Sequence, residues 1–93
     1  MNAKQWYFAV FDRDKCCQVC GGYPVEAHHI LTKGSRPDLK RDVDNGILLC
    51  QKCHRRAHDK PERFKKWLLE NKPDQAEYLN IVLKPDFEGL KNK

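Results

Sequence analysis

The chain has 93 residues, with 18 Lys or Arg against 13 Asp or Glu and a formal net charge of +5. No apolar run approaches the roughly 18 residues needed to cross a membrane, and the N-terminal stretch lacks the unbroken apolar core of a signal peptide, so a cytoplasmic protein with no membrane partner is expected. The length sets a single domain, 1–93, as the expectation, with a core small enough to need an added clamp, while the positive charge favours a polyanionic partner, nucleic acid foremost.

Residues 3–13 read as a helix, because Trp6 with Val10 and Tyr7 with Phe11 are i,i+4 pairs on one apolar stripe. The stripe is expected to be core, an aromatic platform for nucleic acid being the other reading. Cys17-Gln-Val-Cys20 follows and ends in Gly21-Gly22. Residues 23–31, with Pro24 near the start, read as a strand, and residues 32–45 as a long polar loop with Gly34, Pro37 and three aspartates. Residues 46–50 form a second short apolar strand. Cys50-Gln-Lys-Cys53 then leads into a helix that carries His54 and His58 one turn apart. Pro61 marks a break or a new start, and Phe64, Trp67 and Leu68 have the spacing of a packed helix that Pro73 ends. Residues 74–83 suggest a last helix with Ala76, Leu79 and Leu83 inward, so that 61–83 is helical cover. The tail from Lys84 is expected to be loosely ordered.

Five cysteines in a reducing compartment argue against a disulfide framework. Two Cys-x-x-Cys pairs, Cys17/Cys20 and Cys50/Cys53, each offer two thiolates from a tight turn, and two turns complete the tetrahedron of a structural Zn2+. Cys16 is left over as a packing residue or a free thiol. Such a metal would draw the two strands together as a hairpin, lay the helix after Cys53 across it, and supply folding free energy that a small core lacks.

All four histidines lie beside this clamp. His54 and His58 share a helix face that should meet the hairpin, and the strand with His28 and His29 is half of that hairpin. Adjacent strand residues point to opposite faces, so His28 and His29 cannot both face the helix. One imidazole is then placed to bind a divalent ion, and the other is left to take a proton from water.

The set Cys17-x-x-Cys20, Ala27-His28-His29-Ile30, Asp44-Asn45-Gly46, Leu49-Cys50-x-x-Cys53-His54 and His58 resembles the HNH endonucleases of the zinc-clamped type over residues 13–59. The small size and the 33–39 loop resemble stand-alone phage or prophage members. The resemblance implies an α+β fold: a ββα-metal core with an N-terminal helix and C-terminal helices, clamped by structural zinc. It implies His29 as the general base, His28 and His54 as metal ligands, and Asn45 as the brace that orients the base. His58 matches a further ligand of the colicin-type branch. His28 stands where many relatives have aspartate, which widens the expected catalytic ion to Mg2+, Mn2+, Ni2+ or Zn2+, with imidazole favouring the softer ones.

The function expected is a metal-dependent DNA endonuclease, nicking or double-strand, leaving 5′-phosphate and 3′-hydroxyl ends. Arg36, Lys40, Arg41, Arg55 and Arg56 are the candidate phosphate contacts, holding the strand without reading sequence. The alternatives are a non-catalytic zinc module that binds DNA or protein, and an RNase. A monomer or weak dimer is expected, with phage packaging proteins as candidate partners; one site meeting one strand should nick more readily than it breaks both.

Overall fold

The computed structural model describes residues 1–83. The expectation for the tail from Lys84 lies outside them. The element order is α1 (Ala3–Asp14), β1 (Val25–His29), two short 3₁₀ turns (Pro37–Leu39 and Val43–Asn45), β2 (Gly46–Cys50), α2 (Gln51–Asp59), α3 (Pro61–Asn71) and α4 (Pro73–Tyr78). This is the α+β arrangement that the resemblance implies, an antiparallel strand pair followed by a helix, extended by helices at both ends.

Local chemistry sets the helix limits. Asn2 caps α1 through a reciprocal box: its side chain accepts from the Gln5 amide at 2.8 Å, and the Gln5 side chain accepts from the Asn2 amide at 2.9 Å. Pro61 and Pro73 open α3 and α4 at their first turns, where a missing N–H costs nothing. Pro73 therefore does two jobs, ending one helix and starting the next.

The two strands pair antiparallel, with His28 opposite Ile47 and His29 opposite Gly46. Every residue of β2 is buried. On one face Leu48 packs with Trp6 and Val10 of α1. On the other, Ile47 and Leu49 pack with Leu68, Ala76, Leu79 and Ile81. Each fully buried aliphatic side chain is worth about 1.5–3 kcal/mol, so a five-residue strand becomes the centre of the molecule because both its faces are used. Gly46 makes the α1 face possible. A Cβ there would sit 2.6 Å from a Val10 methyl and 2.7 Å from the Trp6 ring.

The last helix corrects the sequence reading. It ends at Tyr78 rather than running to residue 83, and Leu83 is 44% exposed while Ile81 is 7% exposed. Asn80 takes a left-handed conformation, φ 54°. The Ile81 amide then bonds the Ala76 carbonyl at 2.9 Å and the Asn80 amide bonds the Glu77 carbonyl at 3.1 Å. That pair closes the helix and folds Ile81 back onto Ala76, taking the inward place that a continued helix would have given Leu83. Among the described residues no helix is long and apolar enough to cross a membrane.

Candidate metal and catalytic site

Cys17, Cys20, Cys50 and Cys53 bring their sulfurs within 4.8 Å of one another. The turn after Cys17 is closed by the Gly21 amide on the Cys17 carbonyl at 2.8 Å, with Gly21 at φ 77°, a conformation that suits glycine. The second pair sits where β2 becomes α2: Cys50 caps the helix, its sulfur accepting from the Cys53 amide at 3.4 Å. The Cys20 and Cys50 sulfurs are 3.5 Å apart, close to the about 3.8 Å edge of a tetrahedron built on Zn–S bonds of about 2.3 Å. Burial opposes ionisation of Cys17, but the surrounding amides of Cys20, Cys50 and Val19 outweigh it and bring the thiol down to about 6. Burial and the neighbouring thiols push Cys53 well up. Four sulfurs this close cannot all ionise without a cation between them, and Zn2+ fits that donor set. Cys16, half-buried and free, stands outside the cluster.

The second cluster is His28, His54 and His58, each offering a ring nitrogen within 4.8 Å of the others. His28 comes from β1, and His54 and His58 come from adjacent turns of α2. Ring centroids lie 4.9 Å apart for His28–His54, 5.1 Å for His28–His58 and 4.9 Å for His54–His58. His28 is buried, and its pKa falls to about 3, first through that burial and then through the other two imidazoles. A neutral imidazole is the metal-binding form, so the donor set suits a divalent transition ion. Glu26, which shares the His28 face of β1, brings Oε1 to 3.0 Å from Nδ1 of His54. That leaves Nε2 of His54 as the nitrogen for an ion and fixes the ring's orientation. Glu26 was not singled out from sequence, where a glutamate on a short strand reads as a solvated residue. Its i,i−2 relation to His28 was the available signal.

His29 points the other way. Its ring stacks on Trp6, centroids 4.1 Å apart and planes 9° from parallel. Nε2 lies 2.9 Å from the Lys40 carbonyl oxygen. A carbonyl only accepts, so Nε2 carries the proton and donates, and Nδ1 keeps its lone pair. Nδ1 has no hydrogen-bond partner among the described residues. Burial lowers the His29 pKa; the Lys40 carbonyl offsets part of this, and the Lys33 and Arg41 charges lower it further.

Asn45 is fully buried and ties the loop together. Its Oδ1 accepts from the Leu31 amide at 2.7 Å, and its Nδ2 donates to the Leu31 carbonyl at 2.9 Å and the Leu39 carbonyl at 3.1 Å. Leu39 precedes the residue whose carbonyl holds His29. An aspartate here would face two carbonyls with no proton to give.

The basic residues divide by location. Lys33 and Arg41 are near enough to His29 to shift it; Lys33 was not among the phosphate contacts expected from sequence. Arg36 is exposed and engages Asp38 with two bonds, at 3.0 and 2.9 Å. Arg55 and Arg56 are exposed and line a depression of about 250 Å³ with Gln51, Lys52 and Asp59. At about 100° per residue, Arg56 is turned well away from the face of His54 and His58.

Residues 17–60 match the family model described as HNH endonuclease. No curated protein and no solved structure matches the chain.

Proposed function

From the match of residues 17–60 to the HNH endonuclease model, we propose that this chain is a metal-dependent DNA endonuclease. It hydrolyses phosphodiester bonds to 5′-phosphate and 3′-hydroxyl ends, with His29 as general base. The observation that carries the proposal is the division of the histidine pair. His28 joins His54 and His58 on one face of β1, while His29 stands on the other with Nε2 engaged and Nδ1 free.

His28, His54 and His58 would hold the ion, which when bound supplies Lewis-acid stabilisation of the leaving 3′-oxygen. His29 takes the proton of the attacking water at Nδ1, a contribution of about 10²–10⁴-fold to the rate. The Lys40 carbonyl keeps the ring in the required tautomer and stabilises the imidazolium that forms. Asn45 fixes the backbone that carries this carbonyl. Lys33, Lys40 and Arg41 attract the phosphates beside the base, and Arg36 joins them if DNA displaces Asp38. Arg55 and Arg56 serve a strand passing over the outer side of α2. A zinc module without catalysis would need the four cysteines but neither a buried imidazole facing two others nor a base held by a carbonyl.

The test is cleavage of supercoiled plasmid, single-stranded DNA and RNA with Mg2+, Mn2+, Ni2+ or Zn2+, using wild type and His29→Ala. Plasmid nicking that needs added metal and is lost in His29→Ala, with zinc content and DNA affinity retained, is the expected result. Cleavage of RNA alone makes the protein an RNase, and DNA binding without cleavage makes it a zinc-dependent binding module.

A further inference from the structure

We propose that Trp6, from the helix that lies before the family-matched segment, is the positioning residue for His29. The inference rests on the nuclease reading for the purpose it gives the imidazole, but its geometry stands apart from it. Trp6 is 4% exposed and makes two different contacts with the site. Its ring face lies on the His29 ring at 4.1 Å and 9°. Its Nε1–H donates to the Asp42 carbonyl at 2.8 Å.

The two contacts act on the same hydrogen bond from both ends. Nε2 of His29 bonds the Lys40 carbonyl, and that carbonyl is carried on a loop anchored on either side of it. Asn45 holds the Leu39 carbonyl, and Trp6 holds the Asp42 carbonyl. The stack then limits the tilt of the imidazole, so the ring has one orientation and Nδ1 one direction. Gly46 is what lets the indole lie this close, since a Cβ there would stand 2.7 Å from the ring. A purely structural tryptophan would bury its ring and satisfy its N–H on any nearby acceptor. This one spends its ring face and its only polar atom on the base and on the loop that holds the base.

Displacing a catalytic group by about 1 Å can cost on the order of 10²-fold. Trp6→Leu should therefore lower kcat by about 10- to 100-fold per folded molecule, with KM for plasmid little changed. Trp6→Phe keeps a stacking face and loses the Nε1 bond, so it should recover most of the lost rate. Leu79→Ala, which trims the core on the opposite face of β2, serves as the control for lost stability and should keep its kcat per folded molecule. A second readout does not need turnover: the His29 Nε2 proton, seen by nuclear magnetic resonance, should be protected in wild type, nearly so in Trp6→Phe, and lost or shifted in Trp6→Leu. A folded Trp6→Leu with wild-type kcat, or with an unchanged Nε2 proton, overturns the proposal. So does a loss of rate that Leu79→Ala reproduces at equal stability. A wild type that shows the protected proton and cleaves nothing overturns the nuclease reading instead, and the positioning role is then decided by the proton signal alone.

Discussion

Glu26 and His54 come from the two elements that form the histidine cluster, and the carboxylate of one meets Nδ1 of the other at 3.0 Å. The Glu26 side chain is 56% exposed, so the pair does little for stability. Its effect would fall on the ion proposed for the three imidazoles. A carboxylate behind a ligand imidazole fixes the ring and raises its basicity, and loss of such a partner typically weakens metal binding by about 10–100-fold. Glu26→Ala should show that loss in a titration with Ni2+ or Mn2+, with the four-cysteine zinc retained. Unchanged affinity would leave Glu26 as a surface residue.

The two proposed metal sites should empty in sequence. Three imidazoles hold an ion more weakly than four thiolates do, and structural zinc contributes on the order of 10–16 kcal/mol to folding in small modules. Rising EDTA should abolish cleavage first and the circular dichroism signal later. Cys50→Ser should lose zinc and fold together, because Cys50 ends β2, caps α2 and supplies a sulfur. If one midpoint describes both losses in wild type, the sites are not separate.

Asn45 offers a test of the loop that does not touch metal. Asn45→Asp leaves the Leu31 and Leu39 carbonyls facing an acceptor in a fully buried setting. An unpaired buried polar group costs about 1–3 kcal/mol, so the urea midpoint should fall by an amount equivalent to about 2 kcal/mol or more. Cleavage should fall further than unfolding accounts for, because the Lys40 carbonyl loses its anchor. Equal stability of the variant and wild type would contradict the bonding pattern.

His28 gives a pH dependence with a definite sign. Its folded-state value of about 3 lies below the roughly 6.5 of a solvated imidazole. Between those values the unfolded chain binds a proton that the folded chain refuses, so unfolding gains as pH falls. Stability is full above about pH 6.5 and declines from there toward 3. Urea midpoints at pH 7.5 and 5.5 should differ more for wild type than for His28→Gln, with added metal omitted. Equal differences would mean that His28 is not held neutral by its surroundings.

The cysteine clamp was legible because thiolate spacing is a local rule: Cys17-x-x-Cys20 and Cys50-x-x-Cys53 state the ligand set without any knowledge of the fold. The opposed direction of His28 and His29 was legible too, since it follows from strand alternation. The α1 contribution was not. Trp6 was placed in the core by its spacing to Val10, and its spacing says nothing of the histidine it meets 23 positions later. The end of α4 was missed because apolar spacing from Leu79 to Leu83 continues past Asn80, and the left-handed turn at Asn80 is a backbone choice that periodicity does not register. Glu26 was missed because its partner arrives from α2, 28 residues away.

The use of both faces of β2 has a consequence for transplanting the motif. Residues 17–60 hold every cysteine of the clamp and all four histidines, and they look like a portable cassette. Excised, that cassette would leave Leu48 without the cover of Trp6 and Val10 on one side, and Ile47 and Leu49 without that of Leu68, Ala76, Leu79 and Ile81 on the other. A peptide of 17–60 loaded with zinc should therefore close its cysteine knuckles and still self-associate through its central strand. Any graft of this motif into another scaffold has to bring two apolar lids with it, one for each side.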